Sequence, residues 1–268
     1  MLQVVPIINN KGGVGKTTTA VNVAGGLAAR GMRVLLVDLD SQGSASLALG
    51  VDHDDLRPSI ADVLFEDASI PDVRRSTARS PLDVVTGSLD LSNADLRLKK
   101  DRQSAWRLRS ALAPVRDTYD VILVDCAPST SMLTINALIA ADAFIIPLAP
   151  SYLSLEGVVS LGNVVRRVRQ GIGHAAPVLG ILLTMMDPGD EDGDIVRDVR
   201  THYGGKVFDT FIHRDAALKE APGHSKDIFA FAPDTQGAKD YAALVDEVVN
   251  RLDRYGSVYE RLQDANRT

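Results

Sequence analysis

The chain has one cysteine, so it can form no internal disulfide, and Cys126 alone fits a reducing cytoplasm. It has no apolar run approaching the ~18 residues of a membrane span. The opening MLQVVPII is apolar but short and lacks a basic leader. It runs straight into a Gly-rich loop, so it reads as a buried strand rather than a signal peptide. There is no excess of positive charge: 29 Lys and Arg stand against 35 Asp and Glu, a net charge of −6. On global charge this argues against a strongly basic nucleic-acid binder, while leaving a local basic patch open. Internal repeats and long low-complexity tracts are absent. The acidic run from Asp187 to Asp194 lacks the ligand spacing of an EF-hand and reads as a solvated turn. His53, His174, His202 and His224 have no ligand spacing, and Trp106, Leu108 and Leu112 read as packing residues.

Hydrophobic residues make up 45% of the 268, enough for a sizeable core in one large α/β domain or two small ones. Strands are expected at 4–9, 34–38, 82–86, 121–125, 143–148, 178–184 and 207–212. Most are rich in Val, Ile and Leu on both faces, as strands are when helices cover both sides of a parallel sheet. Helical periodicity places helices at 16–30, 104–116, 131–140, 155–170, 193–203 and 235–254. The polar, proline-punctuated stretch from Asp52 to Ser80 is expected to hold short helices near the surface. Strand and helix alternate, which predicts a doubly wound, mostly parallel α/β sheet flanked by helices, with ligands at the carboxyl ends of the strands.

The stretch NNKGGVGKTT, Asn9 to Thr18, sits where a strand gives way to a helix. It nearly fits the phosphate-loop pattern G-x-x-x-x-G-K-[ST], except that the first glycine is replaced by Asn10. Glycines at 12, 13 and 15 let the backbone N–H groups, that of Val14 included, turn inward around phosphate oxygens. The helix opening at Lys16 adds a positive N-terminal dipole. Lys16 would bridge β- and γ-phosphate oxygens, Thr17 would ligate Mg²⁺, and Thr18 could donate to the α-phosphate. A second lysine, Lys11, stands inside the loop. Further along, the strand Val121–Asp125 ends in an acid placed as in a Walker B strand, with Asp125 beside the metal's water shell. Asp38 and Asp40 follow another strand two residues apart, so they share a face. Near a γ-phosphate one of the two can orient the attacking water and the other can bear on the metal. Either acidic element alone is a weak signal, and the phosphate loop gives them meaning.

KGGVGKTT, DLDSQGSAS and VILVDCAPS together resemble the ParA/MinD group of P-loop ATPases with a deviant Walker A motif, and more closely its ParA (Soj-like) branch. Matches continue through residues 133–158, 182–187 and 211–226 to about residue 250. The resemblance implies a single ATPase domain over 1–255 with a tail at 256–268, and ATP/ADP with Mg²⁺ as cofactors. It implies that Lys11 reaches across an ATP-sandwich homodimer to the partner's phosphates, with Gly12 at that interface. Lys11, Lys16 and Asp40 would then be the catalytic residues, Asp40 positioning the water. Thr17, Asp38 and Asp125 would stand at the metal, and Ile212, His213, Arg214 and Asp215 would border the adenine. Members dimerise on ATP, bind DNA non-specifically as dimers and are stimulated by a ParB-like partner. That implies a cytoplasmic, nucleoid-associated switch for chromosome or plasmid partitioning.

The chain departs from the pattern after the Leu-Thr-Met motif, where Pro188, Gly189 and the acidic turn replace a region that often carries Arg. It departs again where His213 replaces Pro and Ala217 replaces an Arg implicated in DNA binding. From Ser151 onward we count 14 Lys and Arg against 18 Asp and Glu. Local DNA-contact candidates are Arg166, Arg167, Arg169, Arg197, Arg200, Arg214, Lys219, Lys226 and Lys239. Two alternatives stay open: an ATPase of this type that positions a protein cargo with weak or no DNA binding, and a small-molecule ATP-dependent ligase on the same scaffold. The C-terminal stretch lacks a wide apolar face with a basic rim and is interrupted by Gly256, so a membrane partner is not expected.

Overall fold

Val34–Leu39 and Val121–Cys126 are buried at every position, the condition of strands covered by helices on both faces. The computed structural model describes residues 4–98, 102–173 and 176–265; His174 lies outside them. The strands are β1 (Val4–Ile7), β2 (Val34–Leu39), β3 (Arg74–Ser76), β4 (Leu82–Val85), β5 (Val121–Cys126), β6 (Phe144–Leu148), β7 (Val178–Met186) and β8 (Val207–His213). They form one eight-stranded sheet in the order β3-β4-β2-β5-β1-β6-β7-β8. Every pairing is parallel except β3 with β4. The order reverses around β1, so the crevice beyond its carboxyl end is the topological switch point.

The helices are α1 (Lys16–Ala29), α2 (Ser44–Ala48), α3 (Ile60–Phe65), α4 (Ile70–Val73), α5 (Ala94–Leu98), α6 (Arg107–Leu112), α7 (Met132–Ala140), α8 (Tyr152–Ile172), α9 (Asp194–Tyr203), α10 (Ala216–Glu220), α11 (Ile228–Phe231) and α12 (Gln236–Ala265). Alternation along the strands builds two cores. Leu35, Val37, Ile122 and Val124 pack with Leu108, Leu112, Leu138 and Val199 on one face. Val34, Leu36, Val121 and Leu123 pack with Val23, Leu27, Leu244 and Val248 on the other. On this second face α1 approaches α12 closely at Gly26 and the cap of α11 at Gly25. A methyl on Gly26 would stand 2.6 Å from Val245 Cγ2.

Several expectations need correction. The segment 104–116 is one α-turn run, α6, between two 3₁₀ pieces; Pro114 cannot extend an α-helix. The helices within 52–80 are core elements, since Ile60, Leu64 and Ile70 are buried. Strand β3 was not foreseen because Arg74-Arg75-Ser76 has no apolar alternation. It is held instead by Arg74 Nη1 to Asp83 Oδ2 at 2.6 Å and Arg75 Nη1 to Thr86 Oγ1 at 3.0 Å. Trp106 is no core residue: it is 36% exposed, with Arg109 over its ring. Finally, α12 passes through Gly256 and ends at Ala265, so the boundary expected at 255/256 falls inside a helix. One interior glycine costs a helix only about 1 kcal/mol.

Candidate functional site

The phosphate loop joins the carboxyl end of β1 to α1, at the switch point of the sheet. Its shape depends on left-handed glycines. Gly13 has φ +70°, and Gly15, the residue capping α1, has φ +83°. Side chains pin the loop to neighbouring strand ends. Asn9 Nδ2 donates to the Pro147 carbonyl at 2.7 Å, and Asn9 Oδ1 accepts from the Lys11 N–H at 3.0 Å. Thr184 Oγ1 donates to the Val14 carbonyl at 3.0 Å. These bonds tie the loop to the ends of β6 and β7.

Lys16 is buried, and its Nζ donates to the Lys11 carbonyl at 2.8 Å. Burial lowers its pKa, opposed by the charges of Asp125, Cys126 and Asp40. Thr17 Oγ1 donates to Asp125 Oδ2 at 2.7 Å. The other oxygen, Asp125 Oδ1, is buried without a partner. Burial and the adjacent Asp38 carboxylate push the Asp125 carboxyl well above its usual range. A buried open carboxylate oxygen next to a hydroxyl fits a hard divalent cation that keeps several waters.

Parallel register sets Asp38 on β2 directly beside Asp125 on β5. Asp38 is already engaged, however. Its Oδ2 accepts from the Ser46 N–H at 2.9 Å and Oγ at 2.7 Å, and its Oδ1 from the Asp40 N–H at 3.1 Å. Burial outweighs these donors and pushes its pKa up to about 6. Asp38, expected at the metal, stands beside Asp125 and also holds the turn that carries Asp40. Asp40 is half-buried just past the end of β2, and its Oδ1 accepts from the Gln42 N–H at 3.0 Å. Lys11 Nζ donates to Ser151 Oγ of its own chain at 3.2 Å. Gly12 is exposed, and a methyl there would meet nothing within 4 Å.

A cavity of about 330 Å³ opens beside the loop, lined among others by Gly15, Thr18, Met185, Ile212, His213 and Tyr241. Ile212, His213, Arg214 and Asp215, expected to border an adenine, all line this cavity. Asp215 acts as a cap, accepting from Ala217 N at 2.9 Å and Gly237 N at 2.8 Å. His213 sits between two carboxylates, with Nδ1 2.9 Å from Asp240 Oδ2 and Nε2 3.0 Å from Glu191 Oε1. Met185 holds φ +58°, rare for a side chain of its size. Thr184, Met185 and Tyr241 were given no role from sequence. They come from β7 and α12, which only the folded topology brings to the loop.

The acidic turn is not merely solvated, since Glu191 reaches His213 and Asp187 Oδ2 accepts from Arg214 Nε at 3.2 Å. Of the DNA-contact candidates, Arg214 is held by that pair and Arg197 by Asp194, and Arg200 lies over the Phe211 ring. Arg166, Arg167, Arg169, Lys219, Lys226 and Lys239 are exposed. A larger cavity of about 750 Å³, lined by Arg200, Arg251 and Arg254, lies near the start of β8 and holds none of the motif residues.

The doubly wound sheet and its glycine loop, with a lysine and a Thr–Asp pair behind it, define a P-loop nucleotide-binding protein. A family model described as an AAA domain matches residues 2–175. The chain is 40% identical to the sporulation initiation inhibitor protein Soj of Bacillus subtilis over 92% of its own length and 98% of that protein. It is 39% identical to the chromosome partitioning protein ParA of Caulobacter vibrioides, over 93% and 95% of the two chains. Among solved structures it resembles cobyrinic acid a,c-diamide synthase from Mycobacterium smegmatis, which carries a bound ATP analog and magnesium. That match is 30% identical, with a TM-score of 0.81 over 94% of this chain and 96% of the other. The chain belongs to the ParA/Soj family of P-loop ATPases.

Proposed function

We propose that this chain is an Mg²⁺-dependent ATPase switch for DNA partitioning that alternates between a monomer and an ATP-bound homodimer. The observation that carries the reading is the Thr17–Asp125 bond beneath the glycine loop, with Asp125 Oδ1 left open. Lys16 would bind β- and γ-phosphate oxygens, Thr17 and Asp125 would hold the metal, and Asp40 would orient the attacking water. Mg²⁺, when bound, neutralises phosphate charge. Lys11 would leave Ser151 and reach the phosphates bound by the partner, adding positive charge where it develops in the transition state. Gly12, bare of side chain, would permit the close approach. Basal turnover is expected to be slow, with a ParB-like protein stimulating it.

Non-specific DNA binding by the ATP dimer would rest on phosphate neutralisation and weaken steeply with salt. A mobility-shift assay with ATP, low salt and non-specific duplex tests this. A shift at micromolar dimer that salt abolishes supports it, and no shift removes it. The second reading is a switch that positions a protein cargo with little DNA affinity. It is favoured by one observation: Arg197 and Arg214 are tied to Asp194 and Asp187. The small-molecule ligase reading has the weaker support. The relatives named for partitioning are 39–40% identical over nearly the whole chain, against 30% for the amide synthase.

A further inference from the structure

Two departures of this chain from its family pattern, the acidic turn after β7 and the histidine at 213, meet in a single contact. His213 Nε2 lies 3.0 Å from Glu191 Oε1 while Nδ1 lies 2.9 Å from Asp240 Oδ2. A neutral imidazole offers one N–H and one lone pair. Flanked by a carboxylate at each nitrogen, the ring satisfies both only as imidazolium, with both nitrogens donating. The bond to Glu191 does most to hold the His213 pKa above its ordinary value, with burial opposing and Asp240 assisting.

The contact is anchored at each end. Glu191 Oε2 accepts from the Gly189 N–H at 2.9 Å, so the carboxylate is fixed to its own turn. Asp240 Oδ2 also accepts the His213 backbone N–H at 2.8 Å, and Asp240 Oδ1 accepts from Gln236 Nε2 at 2.7 Å. The charged groups that meet the ring are Glu191 from the turn and Asp240 from α12, and Arg214, Asp215 and Lys219 from the segment after β8 line the same cavity. Arg214 and Asp187 pair with each other.

The place of the contact gives it meaning. The turn leaves β7 just after Thr184 and Met185, and His213 ends β8; all three line the 330 Å³ cavity. Between these strand ends the β7–β8 register shifts at Thr184/Met186. The strand ends stay joined beyond the shift by the Arg214 N–H to the Met186 carbonyl at 2.9 Å and by the Arg214–Asp187 pair, so the Glu191–His213 bridge fastens the turn itself, not the strands, to the cavity wall. We propose that the Glu191–His213 bridge is a positioning latch on the base side of the nucleotide cavity, slowing nucleotide release when closed and speeding it when broken. The inference rests on the reading of that cavity as the base site. The bridge is closed where the imidazole is protonated, so it is present at low pH and lost as pH rises through the raised His213 pKa.

The test is release of N-methylanthraniloyl-ADP with Mg²⁺ from the full chain, chased with ADP across about pH 5.5 to 8.5. The variant is Glu191→Gln, which keeps the shape and removes the charge. Wild type should release slowly at low pH and about fivefold faster at high pH, the size expected for one partly exposed charged hydrogen bond. Glu191→Gln should release at the fast rate throughout, and the His213 imidazole, followed by NMR in the apo protein, should titrate at lower pH than in wild type. A variant with wild-type rates and wild-type pH profile overturns the latch. Comparing ADP with pyrophosphate separates the two readings. If ADP binds no tighter, the cavity does not hold the base and the parent reading fails with the latch. If ADP binds much tighter and Glu191→Gln changes nothing, only the latch fails.

Discussion

Lys16 Nζ donates to the backbone carbonyl of Lys11 at 2.8 Å, so the two lysines of the phosphate loop form one bonded unit although their side chains serve different ends. Lys16 is buried beneath the loop, whereas Lys11 lies over it toward Ser151. Lys16→Ala should therefore lose nucleotide affinity about 10- to 100-fold, the worth of a charged hydrogen-bonding group at a desolvated site. Lys11→Ala should bind within about twofold of wild type, because its side chain does not shape the cradle. Titration with a fluorescent ATP analogue and Mg²⁺ checks both. Equal losses in the two variants would contradict this division.

Glycines 12 and 25 should respond in opposite ways. A methyl on Gly12 meets nothing within its own chain, while one on Gly25 would stand 2.6 Å from Asp227 Oδ2. Asp227 is buried, caps α11 through Ala230 N at 2.9 Å and pairs with Arg79 at 3.1 Å. Gly25→Ala should destabilise the fold by about 1–3 kcal/mol, as overpacking does. Gly12→Val should unfold like wild type and bind ATP, yet remain monomeric with it. Thermal melts together with light scattering read the contrast.

Asp40 should matter for chemistry and little for stability. Its carboxylate makes one local bond, to the Gln42 N–H. Asp40→Ala should lower the ATPase rate about 100-fold, the usual scale for a group that orients or deprotonates water. ATP affinity should be nearly unchanged. Hydrolysis at the wild-type rate would remove Asp40 from the water-positioning role.

Glu247 should stabilise the open edge of the sheet in a pH-dependent way. Strand β8 is the last in the order, and Glu247 accepts from Asp209 N at 3.0 Å, Thr210 N at 3.1 Å and Arg251 Nη2 at 2.8 Å. Burial pushes its pKa up, but these donors outweigh it and hold the carboxyl below its usual 4.5. A depressed acid contributes fully above its unfolded pKa and loses that contribution as pH falls through the folded one. Glu247→Gln should cost about 1–3 kcal/mol near neutral pH. The gap from wild type in urea midpoints should close as the solution is acidified below about pH 4.

Much of this molecule was legible in its sequence, for physical reasons. The seven apolar strands and the glycine loop announce themselves because burial on both faces and left-handed turns leave few residue types eligible. Asp125 was legible because a buried strand ending in acid has few uses beside a phosphate loop. The polar strand β3 was not, because arginine bonds rather than apolar contacts hold it. The wall of the 330 Å³ cavity was half legible. Residues 212–215 came with the resemblance, but Met185 and Tyr241 join it only through the sheet order. The acidic turn misled, since nothing local shows that Glu191 will meet a histidine 22 positions away.

ATP-dependent dimerisation in the hydrolysis-deficient background tests the central claim most directly. Sedimentation of Asp40→Ala with ATP and Mg²⁺ should show a dimer, and the same protein carrying Lys11→Ala in addition should stay monomeric while binding ATP. A double variant that dimerises as well as Asp40→Ala alone would contradict the account, because Lys11 would then not act across the pair.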